Sequence, residues 1–328
     1  MSFSLLKKSQ SPILKERNIK MPIIIPRDLP AYQTLIDENI FVMDKERASR
    51  QDIRPLELAI VNLMPTKVKT ETQILRRISN TALQVKIDFV KTKSHESKNT
   101  SKEHLENFYV TLDDIKNKKY DAMIVTGAPI ENLEFEEVDY WDEMLEILEF
   151  AKKNVYSTMF ICWASQAALY HYYGIGKKKL DKKLFGVYKC NLEKDSIITN
   201  GFDDEFFVPH SRHTYSSLEE VKSVEDLIVL SSSQDVGLNI ASTKDERFIF
   251  LTGHGEYDED TLEQEYLRDK NLGLDIEVPI NYYRNNDPNS EISVKWKAHS
   301  NLLFSNWLNY CVYQRTDYNI EKIVERAV

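Results

Sequence analysis

The sequence predicts an α/β protein: a doubly wound, mostly parallel sheet with helices on both faces and additional short strands in its C-terminal half. Two observations predict it. Apolar runs such as Leu56–Leu63 and Tyr120–Thr126 have the near-continuous character of strands buried on both faces. Each ends in turn residues and gives way to a helical pattern, and repeated strand–turn–helix units place ligand chemistry at the carboxyl ends of the strands. The strand ends at Leu63, Gly127 and Cys162 are therefore expected to converge.

Residues 1–20 are polar and irregular and read as an extension ahead of a body that begins near Met21-Pro22. Pro30 to Glu38 suits a short helix with proline in its first turn, and Asn39 to Met43 a short strand. The Leu56–Leu63 strand runs into Met64-Pro65 and a helix from Thr66 to Ser79, after which Leu83, Val85, Ile87 and Phe89 alternate as in a strand. Lys93 to Glu103 reads as a long polar loop. Tyr120–Thr126 ends in Gly127-Ala128-Pro129, and a helix from Val138 to Lys153 turns Trp141, Met144, Leu145, Leu148 and Ala151 to one face. A strand ending at Ile161, then Cys162, then a helix closed by Gly174 completes the unit.

Beyond Gly174 the pattern changes. Lys177-Lys178-Lys179 and Lys182-Lys183 read as a basic surface loop. Short strands are expected at Tyr188–Leu192, Ile197–Thr199, Leu227–Ser231, Val236–Ser242 and Arg247–Thr252. A helix from Glu259 to Lys270, a polar loop from Val278 to Ile292 and a final helix from Ser300 to Tyr313 follow.

With 328 residues and a net charge of −9, the chain can bury a sizeable core and is ill suited to non-specific binding of nucleic acid or an anionic membrane. Its three cysteines, Cys162, Cys190 and Cys311, have neither disulfide-framework nor zinc-site spacing, which points to a reducing cytoplasm. No apolar run is long enough to span a membrane, and the N-terminus lacks a signal-peptide core.

Cys162 carries the chemistry. At a strand-to-helix turn a thiol faces the positive end of the helix and its unpaired N–H groups, which favour a thiolate, and the Trp163 N–H lies next to it as an oxyanion donor. The plain alternative is a small buried hydrophobe. A thiol nucleophile needs a base and the base an orienting group. Of the seven histidines, His254 follows a buried-type strand between Gly253 and Gly255, with Glu256 two positions on, on the same side of an extended chain. His210, in Pro209-His210-Ser211-Arg212-His213, is the rival base; His210 and His213 also hint at a metal, but no third ligand stands nearby.

Taken together, Asn62-Leu63-Met64-Pro65, Thr126-Gly127-Ala128-Pro129, Phe160-Ile161-Cys162-Trp163-Ala164, Gly201-Phe202-Asp203-Asp204, Pro209-His210-Ser211-Arg212, Thr252-Gly253-His254 and Asn306-Trp307-Leu308-Asn309-Tyr310 resemble the homoserine O-acyltransferases of methionine biosynthesis. The resemblance runs from Met21 to about Asp317, so that 21–317 is expected to be the catalytic domain and 318–328 a tail. It implies a fold similar to class I glutamine amidotransferases and a ping-pong reaction through an acyl-thioester. It makes Cys162 the nucleophile, His254 the base and Glu256 its partner, with the backbone N–H groups of Leu63 and Trp163 as the oxyanion hole. Lys183, Ser211 and Arg268 fall on substrate-binding positions; a guanidinium fork suits a carboxylate. Gly255 stands where the family commonly has proline. Glu131 falls on the position associated with acyl choice, and a carboxylate there would repel a succinyl group, favouring acetyl-CoA over succinyl-CoA. The resemblance further implies acyl-CoA and L-homoserine as the substrates, no resident cofactor, and a homodimer. A glutamine amidohydrolase or cysteine peptidase on the same turn, and a non-enzymatic redox-sensing thiol, are the competing readings; the chain lacks the Gly-x-Cys-x-Gly glycines usual in the former.

Overall fold

The computed structural model describes residues 23–38, 42–45, 54–95 and 99–326, so the extension expected over 1–20 lies outside the described residues. The strands are β1 (Ile23–Ile24), β2 (Val42–Met43), β3 (Leu56–Val61), β4 (Val85–Val90), β5 (Tyr109–Val110), β6 (Tyr120–Val125), β7 (Val155–Ile161), β8 (Lys177–Leu192), β9 (Glu205–Ser216), β10 (Leu227–Ser233), β11 (Gly237–Thr243) and β12 (Phe248–Leu251). They form one 12-stranded sheet in the order β2-β1-β4-β3-β6-β7-β12-β11-β10-β8-β9, with β5 paired to β4.

The sheet has two halves. From β2 to β12 every pair is parallel, whereas β12, β11, β10, β8 and β9 pair antiparallel. In the parallel half Val61 is level with Val125, Val125 with Phe160, and Ile161 with Leu251. That register brings the chain segments after β3, β6, β7 and β12 to one edge, as the strand-end rule requires.

The strands of this half are apolar because both faces are covered. Ile60, Ile124, Met159 and Ile161 face one buried cluster, and Ala59, Val125, Phe160 and Phe250 face another. Helices Lys67–Ile78 and Lys297–Asn306 close the first face, with Ile74, Ile78 and Phe304 in its core. Helices Trp141–Asn154 and Trp163–Tyr173 close the second, with Met144, Leu148 and Ala167.

Several expectations are corrected. Lys177-Lys178-Lys179 and Lys182-Lys183 belong to the 16-residue β8, not to a loop; pairing with β9 holds the first three, and Lys182-Lys183 lie in an irregularity of register between Lys179 and Leu184. The 12-residue β9, carrying Pro209 to His213, went unread because its proline and polar residues hide the alternation. Ile197–Thr199 is a 3₁₀ turn capped by the Ser196 side chain rather than a strand. The loop expected over Lys93–Glu103, of which 96–98 lie outside the described residues, ends early at Ser101, which caps a helix Lys102–Phe108. The last helix switches at Trp307 to a π-helical turn through Tyr313.

Candidate active site

Cys162 sits between β7 and the helix Trp163–Tyr173, in a conformation with φ of 51° and ψ of −114°. A positive φ is costly for a side chain with a Cβ, and it persists here because the neighbours fix it. The Cys162 N–H donates to Leu251 O at 2.7 Å, and its carbonyl accepts from the Gln166 N–H at 3.2 Å as the helix starts. The thiol is thus held over the helix N-terminus. Gly127 keeps the space beside it open: a Cβ there would lie 3.1 Å from the Cys162 Cβ and 3.6 Å from His254 Cε1. Burial pushes the thiols of Cys190 and Cys311 up to about 12, and neither stands at a helix N-terminus.

His254 follows β12, and its N–H is tied to Pro209 O at 2.8 Å. Its Nδ1 meets Glu256 Oε1 at 2.7 Å. The extended geometry expected for this pair is replaced by a tight turn, closed by the Tyr257 N–H on His254 O at 3.2 Å, which folds the carboxylate back onto the ring. Tyr257 stacks on the imidazole at 4.2 Å between centroids. Burial resists a charge on His254, but the Glu256 carboxylate and then the Cys162 sulfur prevail, and the ring is held well above its ordinary value. All three catalytic candidates are sheltered, Cys162 being 8%, His254 3% and Glu256 6% exposed.

The rival base is placed elsewhere. On β9, residues an odd number apart face opposite sides, so His210 points into the protein while Ser211 and His213 face the cleft. His210 is fully buried, its ring nitrogens lack partners among the described residues, and burial, Arg212 and His254 hold it neutral. The same parity separates it from His213 and removes the metal reading.

Of the two expected oxyanion donors, the Trp163 N–H is the first of its helix and has no intrahelical acceptor. The Leu63 N–H already donates to Thr126 Oγ1 at 2.8 Å, so it serves an oxyanion only by releasing or sharing that hydroxyl. The turn carrying Leu63 is braced from below. Buried Lys67, whose Nζ donates to Asn62 O and to Met64 O, is lowered by desolvation to about 8. Asn62 Nδ2 donates to the Tyr109 hydroxyl at 2.9 Å, and that hydroxyl donates to Glu71 at 2.6 Å.

A cleft of about 480 Å³ joins Cys162 and His254 to Glu131, Lys183, Ser211 and Arg268. The structure therefore brings together every expected substrate-side residue. Lys183 lies 3.3 Å from Asp269 and 3.7 Å from Glu265, with its ammonium over the Phe185 ring. Ser211 Oγ donates to Glu265 Oε2 at 2.6 Å, and the Tyr257 hydroxyl to Glu265 Oε1 at 3.0 Å. The Arg268 fork is turned onto Asp269, at 2.7 and 2.6 Å. The Glu131 carbonyl accepts from Lys177 Nζ at 2.8 Å, so the first lysine of the supposed surface loop pins the turn bearing Glu131.

Glu265, Asp269 and Tyr257 were not singled out in the sequence. A signal existed: Thr261, Gln264, Glu265, Arg268 and Asp269 fall at i, i+3, i+4, i+7 and i+8, one face of the helix Thr261–Asn271, and line the cleft. A polar stripe of this kind reads as a solvated face until a facing wall is known.

Comparison with known proteins bears on this arrangement. The family model described as homoserine O-succinyltransferase matches residues 22–318. A protein named homoserine O-acetyltransferase from Clostridium novyi is 57% identical over 299 residues, covering 91% of this chain and 99% of that one. Proteins of the same name from Bacteroides fragilis and Shouchella clausii are 54% and 53% identical, each covered in full, over 92% and 94% of this chain. Among solved structures, a glutamine amidotransferase from Thermotoga maritima superposes with a TM-score of 0.53 at 14% identity, over 80% of this chain and all of that one. That likeness bears on the fold alone.

Proposed function

The chain belongs to the homoserine O-succinyltransferase family, and we propose that this member transfers an acetyl group from acetyl-CoA to the γ-hydroxyl of L-homoserine through a Cys162 thioester. The reading is carried by the cleft that joins the Cys162–His254–Glu256 set to a charged wall suited to an amino acid. It accords with the fold comparison, with the family match and with relatives named for acetyl transfer.

The Cys162 thiolate attacks the thioester carbonyl, and the oxyanion is received by the Trp163 N–H, with Leu63 as the second donor once it shares Thr126. Collapse breaks the carbon–sulfur bond to CoA, and the His254 imidazolium gives its proton to the departing thiolate. After CoA leaves, neutral His254 takes the proton of the homoserine hydroxyl, which attacks the acyl-enzyme. Glu256 holds the ring through Nδ1 and offsets its charge. The product leaves as the thiolate is restored beside the imidazolium.

The zwitterionic substrate matches the far wall. Lys183 and Arg268 supply cations for its carboxylate, while Glu265 and Asp269 suit its ammonium, and in the free protein these groups neutralise one another. Glu131 supports the acetyl donor, since its carboxylate in the same cleft disfavours a succinyl carboxylate. A homodimer and a cytoplasmic setting belong to the same reading; among the described residues no helix is long and apolar enough to cross a membrane.

Steady-state rates with acetyl-CoA and succinyl-CoA on wild type and Glu131→Gly test the donor. Wild type prefers acetyl-CoA, and the variant loses on the order of tenfold or more of that preference. A wild-type preference for succinyl-CoA overturns the acetyl assignment.

A further inference from the structure

A second cavity, of about 770 Å³, abuts the catalytic cleft, and Met64, Pro65, Ala128 and Pro129 line both. The new cavity lies over the carboxyl ends of β3, β4, β5 and β6, as the catalytic cleft lies over those of β3, β6, β7 and β12. The same sheet edge thus carries two adjoining chambers, and strand ends of this kind are where open α/β sheets take ligands.

The two chambers differ in charge. In the catalytic cleft the cations Lys69, Lys183 and Arg268 are matched one for one by the carboxylates Glu131, Glu265 and Asp269. In the second, Lys91, Lys93, His95 and Lys102 face Glu106 and Asp139, on a chain whose net charge is −9. Lys91 is half-buried at the end of β4, its backbone N–H bonded to Val110 O at 3.0 Å, and it has no carboxylate partner among the described residues. Lys93 and His95 hold Asp113 and Asp139 at 2.7 and 2.8 Å, and Lys102 reaches Glu106 only at 3.8 Å. Exposed pairs of this strength exchange readily for a stronger anion.

We propose that this cavity binds the phosphate-bearing nucleotide end of acyl-CoA, with Lys91 as its principal phosphate contact and Lys102 at its rim. The inference rests on the acyl-CoA reading above and adds the place where the donor is recognised. In acyl-CoA the phosphates are separated from the thioester by the long pantetheine arm, so they cannot lie at Cys162 while the carbonyl does. The homoserine wall, whose cations are already matched by carboxylates, leaves them no free positive charge, and the shared lip of Pro65 and Pro129 opens the other way onto the Lys91 ammonium and the exposed pairs around it. The exposed His95 ring, packed edge-to-face on buried Tyr140 at 5.4 Å between centroids, offers an aromatic surface to a flat base in the same chamber.

The test compares acetyl-CoA with S-acetylpantetheine, which lacks every phosphate, on wild type, Lys91→Glu, Lys91→Gln and Lys102→Glu. Calorimetric titration with adenosine 3′,5′-bisphosphate runs in parallel, with inorganic pyrophosphate as the generic anion, and thermal melts confirm that each variant folds. Wild type favours acetyl-CoA through KM; Lys91→Glu erodes that preference about tenfold or more, Lys91→Gln and Lys102→Glu less, and bisphosphate binding weakens in step. A Lys91→Glu variant that keeps the full preference, that weakens both donors equally, or that binds the bisphosphate as wild type does overturns the assignment. Pyrophosphate binding as tightly as the bisphosphate also overturns it. If wild type accepts an acyl group from neither donor, the acyltransferase reading fails while the titration still decides the site.

Discussion

The parallel and antiparallel halves of the sheet build the two sides of the cleft by different means. On the parallel side, backbone geometry does the placing: Cys162 is held by its strained turn and by Leu251, and His254 by Pro209 and Glu256. These groups are buried and already in contact. On the other side, Lys183 from β8, Ser211 from β9 and Glu265, Arg268 and Asp269 from the helix Thr261–Asn271 hold one another through ion pairs and hydrogen bonds that homoserine, on the proposed reading, would replace. Arg268 is 61% exposed in its side chain. On the proposed reading, chemistry is fixed in advance, and recognition is kept neutral until substrate arrives.

That contrast makes separable predictions. Cys162→Ala has the largest effect, lowering kcat on the order of 10⁴-fold or more with the fold intact, as steady-state assay and circular dichroism would show. A modest loss would move the nucleophile elsewhere. Glu256→Gln comes next, lowering kcat roughly 10²- to 10⁴-fold by freeing the ring from its tautomer and its countercharge.

Glu256→Gln also has a pH signature. Against burial, Glu256 and Cys162 hold His254 well above its ordinary value, so the proton is bound more tightly folded than unfolded. The stability this gives wild type over the variant is fully present below about pH 6.5, the unfolded value, and fades as pH rises through the raised folded value. Urea melts across that range would detect it; a gap that widens with pH contradicts it.

The recognition side gives smaller, differently shaped effects. Lys183→Ala raises KM for homoserine about tenfold to a hundredfold, with a lesser change in kcat, because it removes a cation from the wall and leaves Glu265 without one, Asp269 keeping Arg268. A pure kcat effect would place Lys183 among the reacting groups.

The two halves were also unequally legible in the sequence. Parallel strands buried on both faces, such as Leu56–Val61 and Tyr120–Val125, announce themselves as apolar runs, and with them the strand-end positions of Leu63, Gly127 and Cys162. The same rule gave the approximate place of His254. The antiparallel half hid itself: β8 begins with lysines that read as surface, and β9 mixes proline, histidine and arginine because each face meets a different environment. Glu265 and Asp269 showed only as part of a polar helix stripe, which acquires meaning only from the wall opposite. Two details depended on geometry alone, the commitment of the Leu63 N–H to Thr126 and the turn that brings Glu256 back to His254.

The central claim is that Cys162 carries the acyl group. Intact-mass measurement after brief incubation with acetyl-CoA, without homoserine, tests it most directly. The account predicts one added acetyl group on Cys162, released when homoserine is added and absent in Cys162→Ala. An unmodified wild-type protein that still acetylates homoserine, or an adduct that persists in Cys162→Ala, would contradict it.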